Sequence, residues 1–151
     1  FTPRKTWKQS YCSTKCKLSG LAKATERYKE KNKLSGFCAD CKNEKLPSSY
    51  LCEKHYLSKA ARTNGLNGKG AWKSLRKIIE KQNYLCPYTG KELILGVNSS
   101  IDHKNPKSRF PKQAFIFQNL EWVDRDVNMI KSYLTKEEFL SLCRLIASRN
   151  K

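Results

Sequence analysis

Ile101-Asp102-His103-Lys104-Asn105-Pro106 begins the stretch that decides the reading, and Gln118-Asn119-Leu120-Glu121-Trp122-Val123-Asp124-Arg125-Asp126-Val127-Asn128-Met129-Ile130-Lys131 ends it. An acid and a histidine stand side by side, a first asparagine follows at 119 and a second at 128. Ser100 to His103 and Leu120 to Val123 have the short, apolar and aromatic character of strands. Asp124 is a good N-cap for a helix reaching Ser132. On that helix Val127, Ile130 and Leu134 are expected to face inward, while Asn128 and Lys131, three apart, share a different face that looks toward a cleft.

These residue types suit phosphodiester hydrolysis. An attacking water must lose a proton, charge on the nonbridging oxygens must be met, and the leaving oxygen must be stabilised. A neutral histidine, His103, supplies the base. A hard cation wants oxygen ligands, which the Asp102 carboxylate and the Asn128 amide offer. Asn119 has no evident metal role and is expected to tie the intervening loop to the strand, holding His103 in place. Neighbours on a regular strand point to opposite faces, so Asp102 and His103 share one cleft only if the strand ends or bends there. Asn105-Pro106 offers such a break, since proline cannot continue a ladder.

Upstream, Cys86-Pro87-Tyr88-Thr89-Gly90-Lys91-Glu92 reads as a turn, and Glu92 to Val97 as a strand. Together with Ile101-Asp102-His103, Pro106, Ser108, Asn119, Asn128 and Lys131-Ser132, this run resembles the HNH nucleases, notably the version inside CRISPR-guided nucleases, over roughly residues 84 to 133. The resemblance implies an α+β chain containing a ββα-metal finger, two antiparallel strands and a helix gripping one Mg²⁺ or Mn²⁺ ion. It implies metal ligation by Asp102 and Asn128, a general base in His103, a positioning role for Asn119 and a basic position near phosphate for Lys131. Many members bracket the finger with two Cys-x-x-Cys knuckles. Here Thr89 replaces the second cysteine of the first, and no second knuckle follows Asn128, so Cys86 is not assigned as a ligand.

The charge agrees with a polyanionic partner. Thirty-one Lys and Arg face thirteen Asp and Glu, a formal net charge of +18 spread along the 151 residues. Each phosphate that such a surface neutralises releases a condensed counterion. No run approaches the ~18–20 apolar residues that span a bilayer, and no secretory signal pattern opens the chain. It begins with Phe1, which suggests a trimmed or replaced start.

Seven cysteines, several two or three residues apart, read as metal ligands in a reducing intracellular compartment, such as the cytoplasm of a bacterium or a phage-infected cell, rather than as a disulfide framework. Cys38-Ala39-Asp40-Cys41 and Cys52-Glu53-Lys54-His55 together supply three thiolates and one imidazole for a tetrahedral structural zinc. Cys12 and Cys16 are the alternative: they either replace the Cys52–His55 half or pair with it around a second ion. Cys86 and Cys143 are expected to be ordinary buried thiols.

Three segments follow: a basic arm over 1–35, with a short charged helix over Leu21 to Lys33 or a solvated strand of chain in its place; a zinc-binding module over 36–68; and a nuclease domain over 69–151. The glycine- and asparagine-rich run 64–70 separates the last two. A helix from Trp72 to Gln82 presents Trp72, Leu75, Ile78 and Ile79 on one face. Thr135 with Glu138 is a capping-box signature for a last helix through about Ser148, burying Phe139, Leu142, Cys143 and Ile146.

The expected function is metal-dependent cleavage of double-stranded DNA, of homing or restriction type, by a monomer or a homodimer. The alternatives are a zinc-dependent nucleic-acid-binding protein that does not cut, and a ribonuclease. Arg4, Lys23, Arg27, Arg62, Lys69, Lys107 and Arg109 are candidate nucleic-acid contacts, the arginines because they bond guanine bidentately.

Overall fold

The computed structural model describes residues 36–150. The basic arm, with Arg4, Lys23, Arg27, Cys12 and Cys16 and the expected helix over 21–33, lies outside them. In chain order the elements are α1 (Glu53–Thr63), α2 (Ala71–Lys81), β1 (Ser99–His103), β2 (Leu120–Asp124), α3 (Arg125–Lys131) and α4 (Lys136–Arg149). The architecture is mixed helix with one small sheet. β1 and β2 pair antiparallel, with Ser100 opposite Val123, Asp102 opposite Glu121 and His103 opposite Leu120.

One apolar cluster organises the molecule. Leu57, Ala61 and Leu66 join Leu75 and Ile79 of α2, Leu120, Trp122 and Val123 of β2, Val127 of α3 and Phe139 of α4. The cluster runs straight across the glycine-rich loop that was expected to divide a zinc module from a nuclease domain, because α1 packs directly on α2. A second, much smaller cluster holds only Cys38, Leu51 and Cys52.

Trp122 ties α2 to the sheet. Its indole N–H donates to the Leu75 carbonyl at 2.9 Å. The Gln82 side chain grips its backbone twice: Nε2 donates to the Trp122 carbonyl at 2.7 Å, and Oε1 accepts from the Trp122 N–H at 2.9 Å.

Local signals set the helix starts. The Asp124 carboxylate accepts from the Asp126 N–H and caps α3. Thr135 and Glu138 form a reciprocal capping box at α4. At the other end of α3, Ser132 adopts φ 49° and stops the helix.

Four expectations are corrected. Glu92 to Val97 is not a strand: only an isolated bridge links Leu85 and Glu92. Gly96 sits at φ 81°, and Asn98 folds back to bond both the Ile94 N–H and the Glu92 carbonyl, which turns the chain. Ile130 is 69% exposed rather than inward, because the helix stops one residue later and Lys131 takes the buried place. α4 buries Phe139 alone; Leu142 and Ile146 are exposed, since nothing among the described residues covers the helix beyond its first turns. Cys143 is likewise exposed, whereas Cys86 is buried.

Candidate functional site

Two constellations carry chemistry. The first is the cysteine knuckle. The Cys38 amide donates to the Asn43 carbonyl at 2.8 Å, closing a tight turn that aims Cys38 and Cys41 the same way. Cys52 occupies the N-cap of α1, which places His55 in its first turn. The Sγ atoms of Cys38, Cys41 and Cys52 and a ring nitrogen of His55 all lie within 4.8 Å of one another.

The spacings suit a tetrahedron. Zinc–sulfur bonds of ~2.3 Å put two thiolates roughly 3.8 Å apart, and a thiolate and an imidazole roughly 3.6 Å apart. Cys41 and Cys52 are separated by 3.7 Å. His55 Nδ1 stands 3.3 Å from Cys38 Sγ and 3.4 Å from Cys52 Sγ. The set is therefore compatible with a structural zinc, bound through His55 Nδ1. Burial alone would raise the Cys38 thiol, but the Cys52 and Asp40 amides and the His55 ring pull it down to about 6. Burial, together with the neighbouring Cys41 and Cys38 thiols, pushes Cys52 up to about 11. A cation binding there favours the thiolate at Cys38 and must displace the proton of Cys52.

The second constellation joins β1, β2 and α3. Asn128 Nδ2 donates to Ser100 Oγ at 2.9 Å, stitching the helix to the first strand. Two residues along the same strand, Asp102 Oδ2 lies 3.0 Å from the Lys131 ammonium. That ammonium is fully buried and donates at 2.8 Å to the His103 carbonyl. Asp102 Oδ2 has charge beside it but no aligned hydrogen bond.

Strand pairing stays regular through His103, and the Lys104 amide still donates to the Asn119 carbonyl. The break at Asn105-Pro106 therefore falls after His103 instead of between it and Asp102. The two side chains have separate partners. The Asp102 carboxylate meets Lys131; the His103 ring reaches the Ala114 carbonyl, Nε2 to oxygen 3.0 Å. A carbonyl only accepts, so Nε2 is the donor, which in the neutral ring leaves the lone pair on Nδ1. Asn119, buried, clasps the loop at three points: Oδ1 accepts from the Asn105 amide at 2.8 Å, and Nδ2 donates to the carbonyls of Asn105 and Gln113.

A buried group escaped the sequence reading. Glu121 lies directly opposite Asp102 on β2, only 4% exposed. The Tyr88 hydroxyl donates to its carboxylate, and the Lys136 ammonium approaches to 3.5 Å. Burial, then the hydrogen bond to Glu121 and the charges of Glu121 and Asp102, hold the Tyr88 phenol far above its ordinary range. Only the strand register puts the two acids side by side, and no spacing in the sequence carries that signal.

Of the candidate nucleic-acid contacts that are described, Arg62 and Lys69 line one shallow cleft beside α1 and α2. Lys107 is exposed. Arg109 is engaged by Glu138 through a two-point ion pair. No helix among the described residues is long and apolar enough to cross a membrane. Comparison with known proteins finds no matching family model, no matching curated protein and no matching solved structure.

Proposed function

We propose that the chain is an HNH-type endonuclease that hydrolyses phosphodiester bonds of double-stranded DNA with one divalent cation. What supports the reading is the order β1, β2, α3, with a loop carrying two short 3-10 turns between the strands, Asp102 and His103 closing β1, and Asn128 bonded back to that strand at Ser100.

The available atoms suit the roles, and because β1 stays regular through His103, the end of the strand must turn on binding to bring Asp102 and His103 to one cation. Asn128 uses its amide nitrogen on Ser100, leaving its carbonyl oxygen, the atom a hard cation takes. Asp102 Oδ2 is buried and makes no aligned hydrogen bond, its one charged neighbour being the Lys131 ammonium at 3.0 Å, which a cation would have to displace or share. A bound Mg²⁺ or Mn²⁺ supplies Lewis acidity toward the phosphate and the leaving oxygen. His103, its Nε2–H fixed on the Ala114 carbonyl, presents Nδ1 to take a proton from water. Asn119 holds the loop that carries Ala114's neighbours, and so orients the ring. The net charge of +18 draws in the duplex.

A second reading, a nucleic-acid-binding protein that does not cut, is favoured by one observation. The Lys131 ammonium already meets Asp102, so the cation has a competitor within the chain.

The test is conversion of supercoiled plasmid in Mg²⁺ or Mn²⁺, with EDTA and His103→Ala as controls. The nuclease reading expects conversion by wild type, none in EDTA, and a loss of about 10²–10⁴-fold in His103→Ala with DNA binding retained. Equal conversion by both proteins, or none by either on DNA or RNA, rejects it.

A further inference from the structure

Between α1 and the start of β1 lies a cleft of about 400 Å³ that the proposed chemistry does not use. Among its lining residues are two cations, Lys59 and Arg125, and no acid. Lys59 Nζ is met by an aromatic hydroxyl, Tyr50 Oη at 2.8 Å, and lies 5.1 Å above the same ring. Tyr56 stacks on Trp122 with ring centroids 6.4 Å apart, and both rings line the cleft. Ser99, also among the lining residues, is 2% exposed, and its hydroxyl has no hydrogen-bond partner. A buried polar group without a partner destabilises the fold, a cost that a ligand bonding to it would remove.

We propose that this cleft takes one nucleotide of a nucleic-acid strand that is unpaired at that point. The phosphate meets Arg125 and Lys59, the base lies against the tyrosine rings, and a polar edge bonds Ser99 Oγ. Stacking plus cations is the combination by which proteins hold unpaired nucleotides. The absence of acids removes the repulsion a phosphate would otherwise meet, and a site of this volume is in the range for small ligands. Ser100, which accepts the Asn128 hydrogen bond, also lines the cleft, so the held nucleotide adjoins the proposed cutting site. The position rests on the nuclease reading; the binding chemistry does not.

The experiment titrates the zinc-loaded 151-residue chain with deoxyadenosine 5′-monophosphate, with no Mg²⁺ or Mn²⁺ added, following the Trp122 indole N–H by NMR. Inorganic phosphate and deoxyadenosine serve as separate arms. The expected result is a saturable Trp122 shift with the nucleotide, weakened about tenfold or more in Arg125→Ala. Ser99→Ala should weaken binding while leaving the protein as stable as wild type or more so, because it removes a hydroxyl that had no partner. An absent Trp122 shift, an undiminished shift in Arg125→Ala, or an equal response to phosphate alone overturns the proposal. Cleavage is scored separately on a duplex with a one-nucleotide bulge and on a fully paired one. Nucleotide binding without cleavage of any substrate would sink the nuclease reading and leave the cleft standing.

Discussion

The cysteine knuckle and the β1–β2–α3 unit are both built around charge, yet they solve opposite problems. The knuckle has four ligand atoms within 4.8 Å and almost no apolar core, since its buried cluster is Cys38, Leu51 and Cys52. It has ligands in place of packing. The strand–helix unit sits on the main core and already balances its own acids: Lys131 faces Asp102, while Tyr88 and Lys136 face Glu121. A region with so little core would gain its folding energy from a bound cation. A region that has one folds without it, and any metal it takes is then free to serve chemistry.

Removing zinc should separate the two most sharply. Structural zinc contributes apparent binding energies of about 10–16 kcal/mol in small domains. Chelation, or Cys52→Ser, is expected to reduce the metal content from one ion to none and collapse the amide spectrum of residues 36–52. The β1 and β2 amides should stay dispersed, as NMR can show. Loss of both regions together would break the comparison.

Lys131→Met probes the other side. Leaving a buried carboxylate without its counter-charge costs about 3–5 kcal/mol, and thermal unfolding should report a loss of that order. The double variant with Asp102→Asn should recover some of it. A single substitution with no effect on melting would show that Asp102 is not balanced from within.

Tyr88→Phe removes the hydrogen bond to the buried Glu121 carboxylate. Bonds to charged groups are worth about 1.5–3 kcal/mol, so denaturant melts should show a smaller loss than Lys131→Met does.

The smallest expected effect is acid loosening of the α4 cap. Hydrogen bonds from Arg109 and the Thr135 amide hold the Glu138 carboxyl at about 2, below its ordinary 4.5. A carboxyl lowered on folding stabilises above the ordinary value and loses that contribution as pH falls through the lowered one. The Thr135 amide signal should therefore shift between about pH 4.5 and 2, and Arg109→Ala should move the change upward. Because a zinc held by the knuckle would leave as its ligands protonate, the readout must be that amide rather than global unfolding.

What the sequence made legible was local. The Cys-x-x-Cys and Cys-x-x-His pairs, the Asp124 cap and the Thr135–Glu138 box all depend on side chains within a few residues of each other, and each is found where its spacing put it. Periodicity told which residues share a face but not whether that face has a neighbour. So Leu75 and Ile79 are buried, while Ile130, Leu142 and Ile146, equally periodic, are exposed. The candidate site was legible as a set of residues and not as a network. That Glu121 stands beside Asp102 follows from register, and that Lys131 fills the space between Asp102 and the His103 carbonyl follows from where Ser132 ends α3. Sequence spacing encodes neither.

The Gln82 clamp on Trp122 has a consequence for association. A two-stranded sheet leaves open edges, where unpaired backbone groups invite strands from other molecules. On the outer side of β2, the N–H and carbonyl of Trp122 are already taken by a side-chain amide that mimics a neighbouring peptide. A strand from another molecule would therefore find no ladder bonds at Trp122, because a single glutamine already holds both of its backbone groups.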